Sequence, residues 1–523
     1  MITRVLESLD EDGMRRLAEE IAFWLRPGDL VALAGDLGAG KTTLARALVT
    51  SLSGGRLQEI PSPTFTLVQT YETERMPVAH LDLYRLADPA EIEELGLGDA
   101  LARGVALVEW PERAPEAVTG SHLAVHLAES AGSGDRRTVT LTGHGDWAPR
   151  LARLMALHRL VADAGWRGGG ISLGYLQGDA SPRRYARLIA RDGRSAVVMD
   201  WPAQPDGPPI HNGLPYSRIA HLAEGVRPFV AIAAALSRAG IATPRVLAHD
   251  LDQGLLLIED LGDGVFGAAL AAGASQAQLW RAAVDVLLAL RRAPVPDALP
   301  LPDGTSHRLP DYDAAALSIE TELLPDWLWP AMTGAPADAD ARNAFTAVWA
   351  PILAALASMR EGWVLRDFHS PNLIWRPGQQ GLARVGVIDF QDALAGPAAY
   401  DLVSLLQDAR LDVPEALAAE LLNYYCAETA RAEPGFDEAQ FRFAYAALGA
   451  QRNTKILGIF ARLAIRDRKP GYLAHLPRIW RYLERDLAHP RLAALREFYA
   501  RAFPPEARAR QPAVPTADSG SRS

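Results

Sequence analysis

Two sets of residues in this 523-residue chain have the types and spacing to handle phosphate. The first is Gly35-Asp36-Leu37-Gly38-Ala39-Gly40-Lys41-Thr42, with Thr43 directly behind it. Its glycines let backbone N–H groups close around a phosphate, Lys41 reaches the outer phosphates, and Thr42 offers a hydroxyl to Mg2+. Such a site also needs an acid at the end of a neighbouring strand. Asp82 and Glu109 each end an apolar run and are the candidates. The second set is Arg366-Asp367-Phe368-His369-Ser370-Pro371-Asn372, followed by Ile388-Asp389-Phe390. Asp367 is spaced to orient an acceptor hydroxyl and take its proton, Asn372 to ligate Mg2+ between the phosphates of ATP, and Asp389 to supply the second metal-binding acid. These are two ATP-binding architectures, so the sets make two sites and not halves of one.

Each set needs elements to hold it. In the first stretch Asp10 caps a helix from Glu11 to Leu25, which Gly28 ends. Leu30–Ala34 reads as a buried parallel strand, and Thr42–Ser51 as a helix opening on the glycines. Further strands are expected at Thr66–Tyr71, Val78–Asp82, Val105–Glu109 and Thr138–Leu141, which makes one sheet with helices over residues 1–150. A boundary falls between Trp147 and Trp166, with a helix from Ala148 to Ala164 as the join and Gly168-Gly169-Gly170 opening the next unit.

Residues 155–503 then read as a small mixed lobe, about 155–262, and a large helical lobe, about 263–503. The small lobe has strands Arg184–Ala190 and Ser195–Asp200 around the turn Arg191–Arg194, a helix from Pro228 to Ala239, and a strand from Gly254 to Glu259. A polar, Pro-rich interruption spans Pro294 to Pro310, and the tail 504–523 has a composition that favours disorder. The fold class is an α/β P-loop NTPase domain followed by an α+β two-lobed, protein-kinase-like phosphotransferase domain.

Composition narrows the setting. A chain of this length with 49% hydrophobic and 22% charged residues is globular and holds at least two cores. The lone Cys426 excludes a disulfide framework and a Cys-cluster metal site. No His-x3-His spacing suggests zinc, no apolar run reaches spanning length, and the start carries no secretory pattern, so a cytoplasmic protein with no membrane partner is expected. The net charge of −10 argues against unaided coating of nucleic acid. Only Lys41, Lys455 and Lys469 are lysines among 53 basic residues, and one of the three sits in the Gly-rich loop.

Five ordered motifs carry a resemblance to the TsaE family over about residues 1–150: the Gly35–Thr43 loop, Ser62-Pro63-Thr64-Phe65-Thr66-Leu67, His80-Leu81-Asp82-Leu83-Tyr84-Arg85-Leu86, Glu94-Leu95-Gly96-Leu97 and Val108-Glu109-Trp110-Pro111. The resemblance implies an ATPase serving the TsaB/TsaD machinery, which attaches threonylcarbamoyl to the adenosine beside the anticodon, so tRNA is met indirectly through that complex. It further implies that Thr42 and Glu109 hold Mg2+, that Asp82 is the Walker-B-like acid, and that Ser62–Phe65 form a switch loop.

The second set, with Gly396-Pro397-Ala398-Ala399-Tyr400-Asp401-Leu402, resembles the aminoglycoside phosphotransferase-like superfamily over about residues 155–500. Asp179–Tyr185, Val198-Met199-Asp200-Trp201-Pro202, Ile258-Glu259-Asp260-Leu261-Gly262 and Asp389-Phe390-Gln391-Asp392-Ala393 look most like its AmgK branch. That implies phosphorylation of N-acetylmuramate and N-acetylglucosamine at the anomeric hydroxyl, with ATP and Mg2+, and Glu259 in the nucleotide-binding set.

Two departures stand out. No lysine lies between residues 42 and 454, so the strand-three lysine is missing and Met199 or a neighbour stands there. Arg183 or Arg184 is the expected replacement cation. Leu365 stands where a His often precedes the Arg-Asp pair. Asp401 is expected to cap its own helix, and Trp327, Trp329, Trp349 and Trp363 to be core rather than a sugar platform. A rival reading makes the first half a nucleotide-gated interaction module. Another gives the kinase a different small hydroxyl acceptor, an aminoglycoside or a choline-like alcohol.

Overall fold

A computed structural model describes the chain over residues 1–510 and residue 512, except positions 58, 87, 89–90, 167–169 and 177–182. Most of the Gly168–Gly170 opening, the stretch Asp179–Pro182 and the tail beyond Pro512 lie outside the described residues. The chain divides into two compact units, Met1–Pro202 with Val246–Asp260, and Ala203–Arg245 with Leu261–Ser523.

The first unit opens with β1 (Ile2–Leu9), α1 (Glu11–Trp24), β2 (Leu30–Gly35), α2 (Lys41–Leu52), β3 (Val68–Tyr71), β4 (Val78–Asp82), β5 (Val105–Glu109), β6 (Leu123–Ser130) and β7 (Ser133–Gly143). These strands form one seven-stranded sheet in the order β1-β7-β6-β2-β5-β4-β3. β2, β4, β5 and β6 run parallel, and β1, β3 and β7 join antiparallel. The all-apolar β2 lies between β5 and β6 and buries Leu30 to Leu33, as a parallel strand covered on both faces should. Asp10 caps α1 as expected, its carboxylate accepting the Gly13 N–H at 2.9 Å. β1 and β6 were not foreseen. β6 alternates buried with exposed or half-buried residues over most of its length, a period that the sequence reading passed over.

α3 (Trp147–Asp163) follows, then β8 (Ser172–Leu176), β9 (Arg184–Ile189), β10 (Ser195–Asp200) and, later in the chain, β11 (Val246–Asp250) and β12 (Leu255–Glu259). They form an antiparallel sheet in the order β11-β12-β10-β9-β8. The join is no linker. α3 packs on β7 and also on β11 and β12. Leu17, Phe23 and Trp24 of α1, Leu151 and Leu154 of α3, and Ala186, Leu188, Val198 and Leu257 of the second sheet share one buried cluster. Glu19 of α1 accepts the Leu173 N–H at 2.7 Å, and Arg150 of α3 grips Asp29 with two bonds of 2.6 Å.

The second unit is mainly helical. Its longest helix, Glu438–Ile465, buries residues on all sides, among them Tyr445, Leu448, Gln451, Arg452 and Asn453. Two short antiparallel pairs, Leu373–Trp375 with Val385–Val387 and Gly362–Val364 with Leu394–Gly396, carry the loops that hold Asp367 and Asp389. Residues 298–308, inside the Pro-rich interruption, form a small hairpin. Trp349 and Trp363 are buried in the core as expected, whereas Trp327 and Trp329 are only half-buried, Trp329 packing edge-on against Phe503. Pro505–Arg508 form a short helix that Arg508 ties back to Tyr499 and Glu484. Among the described residues no helix is long and apolar enough to cross a membrane.

Candidate functional site

The Gly-rich loop runs from the end of β2 into α2, with φ of +138° at Gly35, +81° at Gly38 and +103° at Gly40. A side chain at Gly35 would also strike the Leu127 carbonyl, since an added Cβ comes within 2.3 Å of that oxygen. Lys41 is 4% exposed, and its Nζ donates to the carbonyls of Gly35 at 2.8 Å and Asp36 at 2.9 Å while lying 3.6 Å from the centre of the Trp110 ring. Burial lowers its pKa, against the pull of Glu109, Glu112, Asp82 and Asp36. No carboxylate among the described residues forms an ion pair with it. The ammonium is thus held by dipoles and a π-face and keeps its charge available for an anion.

Thr42 Oγ1 donates to Glu109 Oε2 at 2.9 Å, which brings the hydroxyl and the carboxylate of the expected metal site together. The other Glu109 oxygen bonds His80 Nε2 at 2.8 Å, and both side chains are buried. His80 was quoted within a motif but given no role in the sequence. Its spacing of two from Asp82 puts both on one face of β4, and that was the signal, because the parallel pairing sets β4 and β5 side by side. Asp82 faces the switch loop. Its Oδ2 accepts from Thr64 Oγ1 at 2.8 Å, Thr64 Oγ1 lies 2.7 Å from Ser62 Oγ, and Asp82 Oδ1 accepts the Tyr84 N–H at 3.1 Å. Arg137 closes the other side on the carbonyl of Ala39 at 3.0 Å. Leu37 and Phe65, 80% and 82% exposed, stand out from the loop and the switch segment, with Arg85 over the Phe65 ring.

In the second unit Asp367 follows Arg366, whose φ of +71° is a left-handed conformation uncommon for a side-chain-bearing residue. Asp389 has φ of +61°. Such strain persists where the surroundings over-determine it. Here they do. Asp401 does not cap its own helix, Ala399–Leu406, whose cap position is Ala398. Its carboxylate instead accepts the N–H groups of Leu365 at 2.6 Å and Arg366 at 3.0 Å, so that it fixes the catalytic loop from behind. Burial pushes its pKa up to about 7 against those two bonds. The Arg366 guanidinium is buried, donates to the Ala220 carbonyl at 2.6 Å and pairs with Glu320. Glu320 also takes Lys455 Nζ at 2.7 Å, Gln451 Nε2 at 2.9 Å and the Tyr312 hydroxyl. Burial opposes its ionisation, yet Lys455 and Arg366 hold it down at about 2.

Asn372 Nδ2 donates to the Asp367 carbonyl at 3.0 Å and reaches Asp389 Oδ2 at 3.4 Å, so the three expected residues converge. Gln391 Nε2 holds the other Asp389 oxygen at 3.0 Å. The Asp367 carboxyl lies 3.7 Å from His369 Nε2. Burial works against its ionisation, but His369, Lys455 and Arg366 together keep it well below the usual carboxylate range. Leu365, in place of a histidine, buries its side chain and contributes its amide. The oxygens of Asp389 with the Asn372 side chain, and those of Glu109 with Thr42, are hard donors of the kind Mg2+ takes.

The second sheet answers the question of the missing lysine only in part. Met199 is 2% exposed and pairs with Tyr185 and Leu256. Of the two expected replacements, Arg183 or Arg184, the guanidinium of Arg184 lies 5.7 Å from the centre of the Trp24 ring, with Arg26, Asp200 and Arg150 near it. It shares a strand face with Ala186 and Leu188, which point into the core with α1. That face is spent on packing. Arg183 lies over Trp201 at 5.1 Å. Arg187, on the opposite face from Arg184, pairs with Asp260 at 2.8 Å. Glu259 ends β12 opposite Ala196.

Comparison with known proteins agrees with both geometries. Residues 8–139 match the model of the Threonylcarbamoyl adenosine biosynthesis protein TsaE family, and residues 173–441 match that of the Phosphotransferase enzyme family. A TsaE protein from Rickettsia felis is 42% identical over 118 residues, 23% of this chain and 68% of that protein. Its counterpart from Bacillus subtilis is 34% identical over 157 residues, 30% of this chain and 96% of that protein. An N-acetylmuramate/N-acetylglucosamine kinase from Caulobacter vibrioides is 41% identical over 342 residues, 64% of this chain and 92% of that protein. The chain therefore belongs to two families joined in one polypeptide, TsaE over residues 8–139 and the phosphotransferase enzyme family over residues 173–441.

Proposed function

We propose that this is a bifunctional ATP-using protein of two functional modules, residues 1–150 and 155–503. The first is an ATPase supporting threonylcarbamoyl modification of tRNA, and the second an ATP-dependent kinase for N-acetylmuramate and N-acetylglucosamine.

For the kinase the observation that carries the reading is the convergence of Asp367, Asn372 and Asp389 on a loop pinned by Asp401. Asp367 orients the sugar hydroxyl and receives its proton as the phosphoryl group arrives, and its depressed pKa keeps it ionised for that task. Mg2+, held by Asn372 and Asp389, would neutralise charge on the phosphates. The acceptor class follows the relatives, which include four kinases of the same name, from Caulobacter vibrioides, two Pseudomonas species and Neisseria meningitidis.

For the ATPase the carrying observation is Lys41, a buried cation that, among the described residues, has no carboxylate in an ion pair with it at the mouth of the Gly-rich loop. Thr42 and Glu109 would hold Mg2+, and Asp82, bonded to Thr64, links the nucleotide site to the switch loop. The exposed Leu37 and Phe65 beside that loop support docking of TsaB/TsaD-type proteins, with tRNA reached through them in the cytoplasm.

One experiment tests both assignments. The full chain is given ATP with each amino sugar, and its gene is placed in a bacterium depleted of its own TsaE. Formation of sugar phosphate and recovery of the modified tRNA are expected. A chain that does neither refutes the proposal, and phosphorylation of aminoglycosides or choline in place of the sugars moves the kinase to the rival acceptor class.

A further inference from the structure

Beside Asp367 in the second unit lies a cavity of about 140 Å³ lined by Arg366, Asp367, His369, Tyr400, Asp408 and, from one face of the long helix, Arg452, Lys455, Ile456, Ile459 and Phe460, with Ala409 and Arg410 at its edge. Positions 452, 455, 456 and 459 fall on one side of a helix, so the spacing itself builds this wall. The charges around it are not equivalent. Arg366 and Lys455 share Glu320. Asp408 is used by backbone amides, its Oδ2 by Ser370 at 2.8 Å and its Oδ1 by Arg410 at 2.8 Å and Leu411 at 3.1 Å.

Two guanidinium groups are left. Arg452 is 5% exposed, and its Nη1 donates to the Gln407 carbonyl at 3.2 Å. Arg410 is exposed. Neither forms an ion pair with a carboxylate among the described residues, although Arg452 is near enough to the buried Asp401 to favour its ionised form. A buried guanidinium with no carboxylate in direct contact is costly, and its planar fork matches a carboxylate.

We propose that Arg452, with Arg410 at the rim, binds a carboxylate on the acceptor beside Asp367, and so makes acid-bearing amino sugars preferred acceptors over neutral ones. The inference rests on the amino-sugar reading above and sharpens it. N-acetylmuramate differs from N-acetylglucosamine by a lactyl ether whose carboxylate would reach the two arginines while the sugar presents a hydroxyl to Asp367.

The test uses the full chain and three acceptors: N-acetylmuramate, its methyl ester and N-acetylglucosamine. In the unaltered protein kcat/KM is expected to favour the acid over the ester by about 10- to 100-fold, the worth of a charge-assisted contact. Arg452→Met should collapse that ratio to about 1–3, Arg452→Lys should restore part of it, and Arg410→Ala should lower it by about 3- to 10-fold, all as losses in KM more than in kcat. Because Arg452 is buried, thermal melts accompany each variant, and the exposed Arg410 gives a substitution that does not threaten folding. Equal treatment of acid and ester by the unaltered protein overturns the proposal. So does an unchanged acid-to-ester ratio in folded Arg452→Met and Arg410→Ala. Phosphorylation of neither sugar overturns the amino-sugar reading itself, a result distinct from phosphorylation without discrimination.

Discussion

Lys41 is buried and Lys455 half-buried, each beside a candidate phosphate-handling loop, and their surroundings set them to opposite tasks. Lys41 rests on two carbonyls and an aromatic face, with burial lowering its pKa. Lys455 meets the Glu320 carboxylate, which with Tyr400 and Tyr216 raises its pKa above the ordinary lysine value although burial alone would lower it. The first charge is still available and the second is neutralised where it stands. A site built from a contiguous loop can aim its cation at the ligand. A site assembled from distant side chains must first use its cations to hold itself together, as Glu320 does by joining Arg366, Lys455, Gln451 and Tyr312.

The comparison breaks most visibly if the two sites depend on each other. Asp367→Asn should lower sugar phosphorylation by about 10³-fold while phosphate release from ATP without acceptor is kept, since on the proposed reading only the general base of the kinase is lost. Lys41→Ala should reverse the pattern, with a fall of about 10²-fold in phosphate release and sugar phosphorylation unchanged. The two products are measured separately in one reaction. Parallel losses in either variant would show that the sites are coupled.

His80 tests whether the first site is as self-contained as its loop suggests. Its ring holds one oxygen of Glu109 from a fully buried position, leaving the other for Thr42. His80→Phe keeps the volume and removes that bond. Phosphate release should fall about 10- to 100-fold with a raised Mg2+ requirement, the usual effect of losing a partner that orients a ligand. An unchanged Mg2+ titration would leave Glu109 needing no such support.

Asp401 is the corresponding support in the second site, and its effect should be smaller and dependent on pH. An amide at this position cannot accept both the Leu365 and the Arg366 N–H groups, so Asp401→Asn should lower kcat about 10-fold and leave KM for ATP near its original value. The sign of its pH effect follows from the raised pKa. The unfolded chain loses this proton near the ordinary carboxyl value, whereas the folded chain keeps it up to about pH 7. The group therefore contributes most stability at acid pH and loses it as pH rises through about 7. The Asn variant should show a smaller drop in melting temperature between about pH 5 and 8 than the original chain. An identical drop in both would remove Asp401 from that slope.

These supports also mark where the sequence ran out. The Gly35–Thr43 loop, β4 and β5 were legible because a phosphate loop is local, and because Asp82 and Glu109 end apolar runs whose parallel register is fixed by burial. Asp367, Asn372 and Asp389 were legible by spacing. Asp401 was read as a helix cap because an acid near a helix start has that local use, and nothing local shows that its oxygens reach back to residues 365 and 366. Glu320 carries no spacing signal, since its partners lie at 312, 366, 451 and 455. The surroundings of Arg184 were out of reach for a related reason. Strand period gives two faces but not which one meets the core, and here the even-numbered face of β9 packs with α1 of the neighbouring module.

Arg184 also supplies the mildest prediction. If Arg184 clamped phosphates, Arg184→Ala would raise the KM for ATP in sugar phosphorylation by an order of magnitude or more, as loss of a charge-assisted contact does. Its guanidinium instead lies against Trp24 amid Arg26, Asp200 and Arg150, and burial lowers its pKa. The contact with the ring contributes about 0.5–1 kcal/mol. Arg184→Ala should therefore lower the melting temperature of the full chain by roughly 1–4 °C and change the KM for ATP by less than about twofold. Michaelis constants for the folded variant decide between the two placements. A large rise in KM at unchanged melting temperature would return Arg184 to the nucleotide and leave Trp24 packed without it.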